Sequence, residues 1–181
     1  MSDIDQFRAR KDAFFRDDPD SPIAPERRPA FAGLAYYEEE DALRLRTALD
    51  TEGVDRDEPI LMQTTSGDVQ EYRRAGVVRF QVDGEGAELN LYRSEDAEDL
   101  FLPFRDATSG TETYGAGRYL EVEPPGPDGR VEVDFNYAYN PYCAYDPNWA
   151  CPLPPTENWV EVPIRAGERS YPGGPTVPSG D

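Results

Sequence analysis

Histidine is absent from all 181 residues. That excludes imidazole-activated serine and cysteine nucleophiles, the HExxH zinc helix and histidine-ligated haem. Proton transfer then falls to Asp, Glu, Tyr, Cys, a bound water or the ligand itself. Lysine is nearly as scarce: Lys11 is the single one, and every other cation is an arginine. No apolar run approaches the ~20 residues of a membrane-spanning helix. The N-terminal MSDIDQFRARKDAFF carries no apolar signal core. The expectation is a cytoplasmic protein with no membrane partner. The two cysteines, Cys143 and Cys151, supply at most half of a tetrahedral zinc site, so no metal is expected.

Acid is what the chain has in excess: 37 Asp and Glu against 18 Lys and Arg, a net charge of −19. No basic patch is present to meet phosphates, so no nucleic-acid partner is expected, and an anionic membrane surface is disfavoured for the same reason. A carboxylate coat with almost no lysine has the character of a protein from a salt-in halophile. Repulsion within such a coat is screened by salt, the Debye length falling to ~3 Å at 1 M. Thermal stability is therefore expected to rise steeply with KCl between low and molar concentrations. Melting curves unchanged over that range would contradict this.

Along the chain, residues 3 to about 17 form a helix pattern: Ser2 or Asp3 caps it, Ile4, Phe7, Lys11, Phe14 and Phe15 give a partial apolar stripe, and Pro19 and Pro22 end it. Residues 18–30 read as an extended proline-rich linker, so that residues 1–30 pack on the body as helix plus linker. Residues 31–170 read as a single β-rich domain, and 171–181 as a flexible tail. Within the body, Phe31–Tyr37, Pro59–Thr65, Val69–Arg73, Val78–Val82, Arg118–Glu123, Val131–Phe135 and Trp159–Ile164 read as strands, Ala42–Leu49 as strand or helix, and Asp83–Gly84–Glu85–Gly86 as a hairpin turn before Leu89 and Leu91. Short strands with Gly/Pro turns and no βαβ alternation imply a mainly β fold, an antiparallel β-sandwich or partly open barrel with an N-terminal helix.

Residues 136–156 stand apart. Five prolines, four tyrosines, a tryptophan and both cysteines fall in this loop. Loops of that length are usually functional or disordered, and this composition favours an ordered cover on the body. Cys143 and Cys151 form a C-x7-C pair open to three readings: structural thiols or a disulfide worth about 2–3 kcal/mol, a redox or nucleophilic pair, or half a metal site. In Thr113–Arg118 the G-x-G lacks the third glycine of a dinucleotide fingerprint and precedes a strand. It reads as a tight turn or close backbone approach, or as a place where a ligand nears the backbone with Arg118 gripping an anion.

The runs F-x-D-x-T-x-G-x-x-T-Y-G-x-G-R-Y-L (Phe104–Leu120), D-F-N-x-A-Y-N-P-x-C-A-Y (Asp134–Tyr145), C-P-L-P-P-x-x-N (Cys151–Asn158) and A-G-E (Ala166–Glu168) resemble the family catalogued as domain of unknown function 1684. The resemblance implies neither a reaction nor a cofactor. Three functional readings follow from the residues. The first is a binding module for a small polar or anionic molecule, in a pocket under the 136–156 loop, with Arg118, Tyr114, Asn136, Tyr139 and Asn140 around the ligand. The second is a structural or interaction protein with no ligand, in which the motif only directs folding. The third is a histidine-independent enzyme using Asp106 or Asp134 as base, or Cys143 as nucleophile.

Overall fold

The computed structural model describes residues 1–174. Helix α1 (Asp3–Asp17) begins with a reciprocal cap. The Ser2 hydroxyl accepts from the Asp5 backbone N–H at 3.2 Å, and the Asp5 carboxylate accepts from that of Ser2 at 3.1 Å. The helix stops where Pro19 follows its C-cap, Asp18. Ile4 and Phe15 are buried, and the helix lies against the β body through Phe15, Ile23, Phe31, Ala144 and Tyr145. The stretch after the helix is not fully extended, because Pro25–Ala30 closes a 3-10 turn.

Among the described residues seven antiparallel strands follow: β1 (Arg44–Ala48), β2 (Pro59–Gln63), β3 (Val69–Val82), β4 (Glu85–Arg93), β5 (Leu100–Phe104), β6 (Arg118–Val122) and β7 (Arg130–Asp134). Strands β2 to β6 form a five-stranded meander in chain order, and β1 pairs with β7 in a second, two-stranded sheet. The Asp50–Val77 bridge stitches the small sheet to β3, with backbone bonds of 2.8 and 2.9 Å. The meander curls into a half-barrel, so the fold is the expected mainly β, antiparallel one with an N-terminal helix. Its core holds Val78, Leu89, Leu91, Leu102, Phe104, Leu120, Val133 and Phe135.

Two of the expected short strands, Val69–Arg73 and Val78–Val82, are one long β3 bent by a bulge between Arg74 and Gly76. The β3–β4 hairpin turns at Asp83–Gly84, both at positive φ. Two expected strands are absent among the described residues. Phe31–Tyr37 contributes one bridge, Tyr36 to Glu168, and Trp159–Ile164 one parallel bridge, Arg105 to Trp159. The alternation in Trp159–Ile164 does bury Val162 and Ile164. Their segment, however, is held by Asp106 and by the backbone of Arg105 and Ala107, not by a ladder. At the chain end, Tyr171 packs on Phe31 and Tyr145, and the Gly173 carbonyl accepts from Arg27. The rest of the expected flexible tail, 175–181, lies outside the described residues.

Candidate functional site

The loop from Asn136 to Thr156 lies over the sheet as a cover. It is anchored by a two-way backbone bridge, Tyr119 N–H to Tyr139 carbonyl at 2.8 Å and Tyr139 N–H to Tyr119 carbonyl at 2.9 Å. That bridge explains why Tyr119, on the outer face of β6 with Glu121, is buried: Tyr139 and the cysteines close over it. Where the loop meets α1, a groove of about 720 Å³ remains. Eight aromatic side chains border it: Phe7, Phe14 and Phe15 from α1, Tyr119 from β6, and Tyr137, Tyr139, Tyr142 and Trp149 from the loop and the turn before it. Phe7 meets Tyr137 edge-to-face at 5.0 Å between ring centres, and Tyr142 meets Trp149 at 5.1 Å. Such contacts fix the walls of the groove. Trp149 remains 43% exposed.

Two charged residues sit in this wall, Lys11 and Glu121. The Lys11 ammonium lies 3.2 Å from the Glu168 carboxylate, which is only 1% exposed, and 4.8 Å from the Tyr139 ring centre. Glu168 also accepts from the Tyr145 hydroxyl at 3.2 Å and the Asn140 backbone N–H at 2.5 Å. Lys11 therefore neutralises the buried Glu168 carboxylate while also bordering the groove. Glu121 accepts from the Tyr139 hydroxyl. Burial, reinforced by the Glu121 charge, pushes the Tyr139 phenol well above its usual range, so it stays a neutral donor.

Arg118 does not reach this groove. It is 0% exposed in the core, 5.1 Å above the Phe104 ring. One terminal nitrogen donates to the Ala166 carbonyl at 2.5 Å and that of Glu168 at 3.1 Å; the other donates to that of Ile164 at 2.7 Å. Asp106 lies 3.6 Å away. Burial pulls the guanidinium pKa down, and Asp106 opposes it. The fork expected to grip an external anion grips the chain's own backbone instead. Asp106 is equally committed, accepting from Thr108 at 2.9 Å and from the Ile164 N–H at 2.7 Å. Asp134 is separate from this cluster: it pairs with Arg44 at 3.0 Å and caps the Asn136 N–H.

The remaining expected residues divide in the same way. Asn136 braces Glu40 in both directions, at 2.8 and 3.0 Å. Asn140 donates to the Arg169 carbonyl at 2.9 Å. Tyr114 donates to the Cys143 sulfur at 3.4 Å. Gly117 sits at φ +106° where a Cβ would come within 2.6 Å of the Phe104 carbonyl, so the G-x-G serves close approach of the chain to itself. Of the five residues expected around a ligand, Tyr139 alone borders the groove; Cys151 borders it too. Among the described residues no group of three or more Cys, Asp or Glu converges as a metal site. No helix there is long and apolar enough to cross a membrane.

The α1 wall is what sequence reasoning missed. Phe7, Lys11 and Phe14 recur at helical spacing and read as a docking stripe. The stripe reads as packing against the body, and its signal of a further role is Lys11 within it, the single lysine in a chain whose other cations are all arginine.

Fold and groove together define a class: a curled antiparallel β-domain with a helix-walled aromatic groove beneath a proline-stiffened loop. The family model described as Protein of unknown function (DUF1684) matches residues 29–169, and the chain belongs to this family. It is similar to the solution NMR structure of the uncharacterized protein from gene locus rrnAC0354 of Haloarcula marismortui. That likeness has 38% identity and a TM-score of 0.68, and covers 92% of this chain and 91% of that one. No curated protein matches the chain.

Proposed function

We propose that this protein is a small-molecule binding module whose ligand is a planar, largely apolar, ring-bearing compound held in the groove between α1 and the 136–156 loop. The observation that carries this reading is the groove itself, about 720 Å³ bordered by eight aromatic side chains. Its volume falls within the usual ~300–1,000 Å³ range of ligand sites. The charge balance favours a ring over a strong anion. Arg118 is enclosed, and the Lys11 charge is matched by Glu168. Stacking on Trp149, Tyr142 and Phe7 then supplies most of the affinity, each good ring contact adding about 0.5–1.5 kcal/mol beyond its area.

A thermal-shift screen of ring-bearing metabolites in molar KCl tests this. A ligand at 100 times its Kd stabilises by about 2.7 kcal/mol, which moves the melt of a domain this size by several degrees. Trp149→Ala should weaken a hit about tenfold while leaving the ligand-free melt nearly unchanged, since the ring is half exposed. Hits indifferent to both Trp149→Ala and Phe7→Ala, or no hits among ring-bearing compounds, would remove this reading. The structural reading would then lead, since it already accounts for Arg118, Asn136 and Asn140.

A further inference from the structure

Cys143 and Cys151 are both free and buried, and they are close together: the Cys143 backbone N–H donates to the Cys151 sulfur at 3.4 Å. Their environments differ. Cys151 borders the aromatic groove, whereas Cys143 sits behind it, where its sulfur accepts from the Tyr114 hydroxyl. The fold thus gives one thiol access to small molecules and keeps the second within reach of the first. A 3-10 turn at Tyr142–Ala144 holds Cys143, and the Asp146–Ala150 turn, exposed over most of its length, links it to Cys151. The Thr65 hydroxyl fixes the Cys151 backbone N–H at 3.1 Å.

We propose that Cys151 and Cys143 form a thiol–disulfide exchange site whose substrate class is small-molecule disulfides entering through the aromatic groove. In the first step the Cys151 thiolate attacks one sulfur of the incoming disulfide. A Cys151–S–S–R bond forms, the original S–S bond breaks, and the leaving thiolate takes a proton from water. In the second step Cys143 releases its proton to water and attacks the Cys151 sulfur. The Cys143–Cys151 disulfide forms, and the second R–S⁻ leaves and is protonated. The two protein sulfurs are oxidised by two electrons, and one disulfide is reduced to two thiols. The assignment of roles agrees with the local electrostatics. The adjoining Cys143 side chain, with the backbone N–H groups of Cys143 (3.4 Å from the sulfur) and Tyr142, lowers the Cys151 pKa against burial. The same proximity to Cys151, together with burial, raises that of Cys143, so it waits as the thiol. A lowered pKa raises the fraction present as thiolate, the attacking form.

The experiment exposes the reduced full chain to hydroxyethyl disulfide in molar KCl, quenches with acid and reads intact masses. Wild type should lose two hydrogens and carry no lasting adduct, and dithiothreitol should reverse this. Cys143→Ser should stop at a mixed disulfide that peptide mapping places on Cys151. Cys151→Ser should react at least tenfold more slowly. The wild-type rate should rise with pH through an inflection below the ~8.5 of a free cysteine. If a serine variant fails to fold, mapping the early adduct in wild type gives the same discrimination, with Cys151 expected. Adducts forming first on Cys143, or a folded wild type that stays unmodified while its urea-unfolded form reacts, would overturn the proposal.

Discussion

Arg118→Met should lower the melting temperature by about 10 °C or more and leave the groove's ligand affinity unchanged in whatever fraction remains folded. Methionine keeps much of the volume but none of the donors. The carbonyls of Ile164, Ala166 and Glu168 and the Asp106 carboxylate would then face a dry core without their shared partner. Breaking a buried ion pair from one side costs about 3–5 kcal/mol. For a domain of this size each kcal/mol moves the melt by about 2–4 °C. Arg118→Lys should rescue little, because an ammonium lacks the planar fork that reaches three carbonyls at once. A stable Arg118→Met protein that has lost ligand binding would reverse the assignment and return Arg118 to the site.

Gly167→Ala should be nearly as damaging, by about 3 kcal/mol in denaturant unfolding. Gly167 has φ +77°, a conformation costing a side-chain-bearing residue about 1–2 kcal/mol. Its added Cβ would also fall 2.5 Å from the Ala138 carbonyl and 2.8 Å from that of Phe135. Both are backbone atoms and cannot swing away, so overpacking adds about 1–3 kcal/mol. The position matters because the three consecutive residues act together. Ala166 offers its carbonyl to Arg118, Gly167 lets the strap approach the Phe135–Ala138 turn, and Glu168 meets Lys11, Asn140 and Tyr145. A Gly167→Ala protein within about 0.5 kcal/mol of wild type would show that the strap shifts freely, which this packing forbids.

The two substitutions explain why much of the family motif is architectural. Asp106, Arg118, Asn136 and Asn140 resemble a polar site in the sequence. In the fold they satisfy backbone groups that no strand ladder reaches, across a chain end with few ladders. Their partners are mostly carbonyls and N–H groups, and a side-chain pattern does not announce those. This is why the enclosure of Arg118 was not legible while the β3–β4 hairpin was. In the hairpin, alternation at Val78, Phe80 and Val82 and the Asp83–Gly84 turn are local signals. Alternation at Trp159–Ile164 is equally clean, yet it marks burial of Val162 and Ile164 beside Arg105–Ala107 and not a strand. The 136–156 loop was legible as an ordered cover from its prolines and aromatics. Its partner across the groove was not, because the Phe7, Lys11 and Phe14 face of α1 meets Tyr137 and Tyr139 only through long-range packing.

The groove between α1 and the 136–156 loop is the proposed ligand site. The most direct measurement is a two-dimensional NMR titration of the isotope-labelled full chain in molar KCl with the strongest ring-bearing compound from the thermal screen. Saturable shifts should concentrate at Phe7, Lys11, Tyr139, Tyr142, Trp149 and Cys151, with the Trp149 indole signal among the largest and Arg118 little moved. Shifts centred on Arg118 and Asp106, or on a face remote from α1, would contradict it.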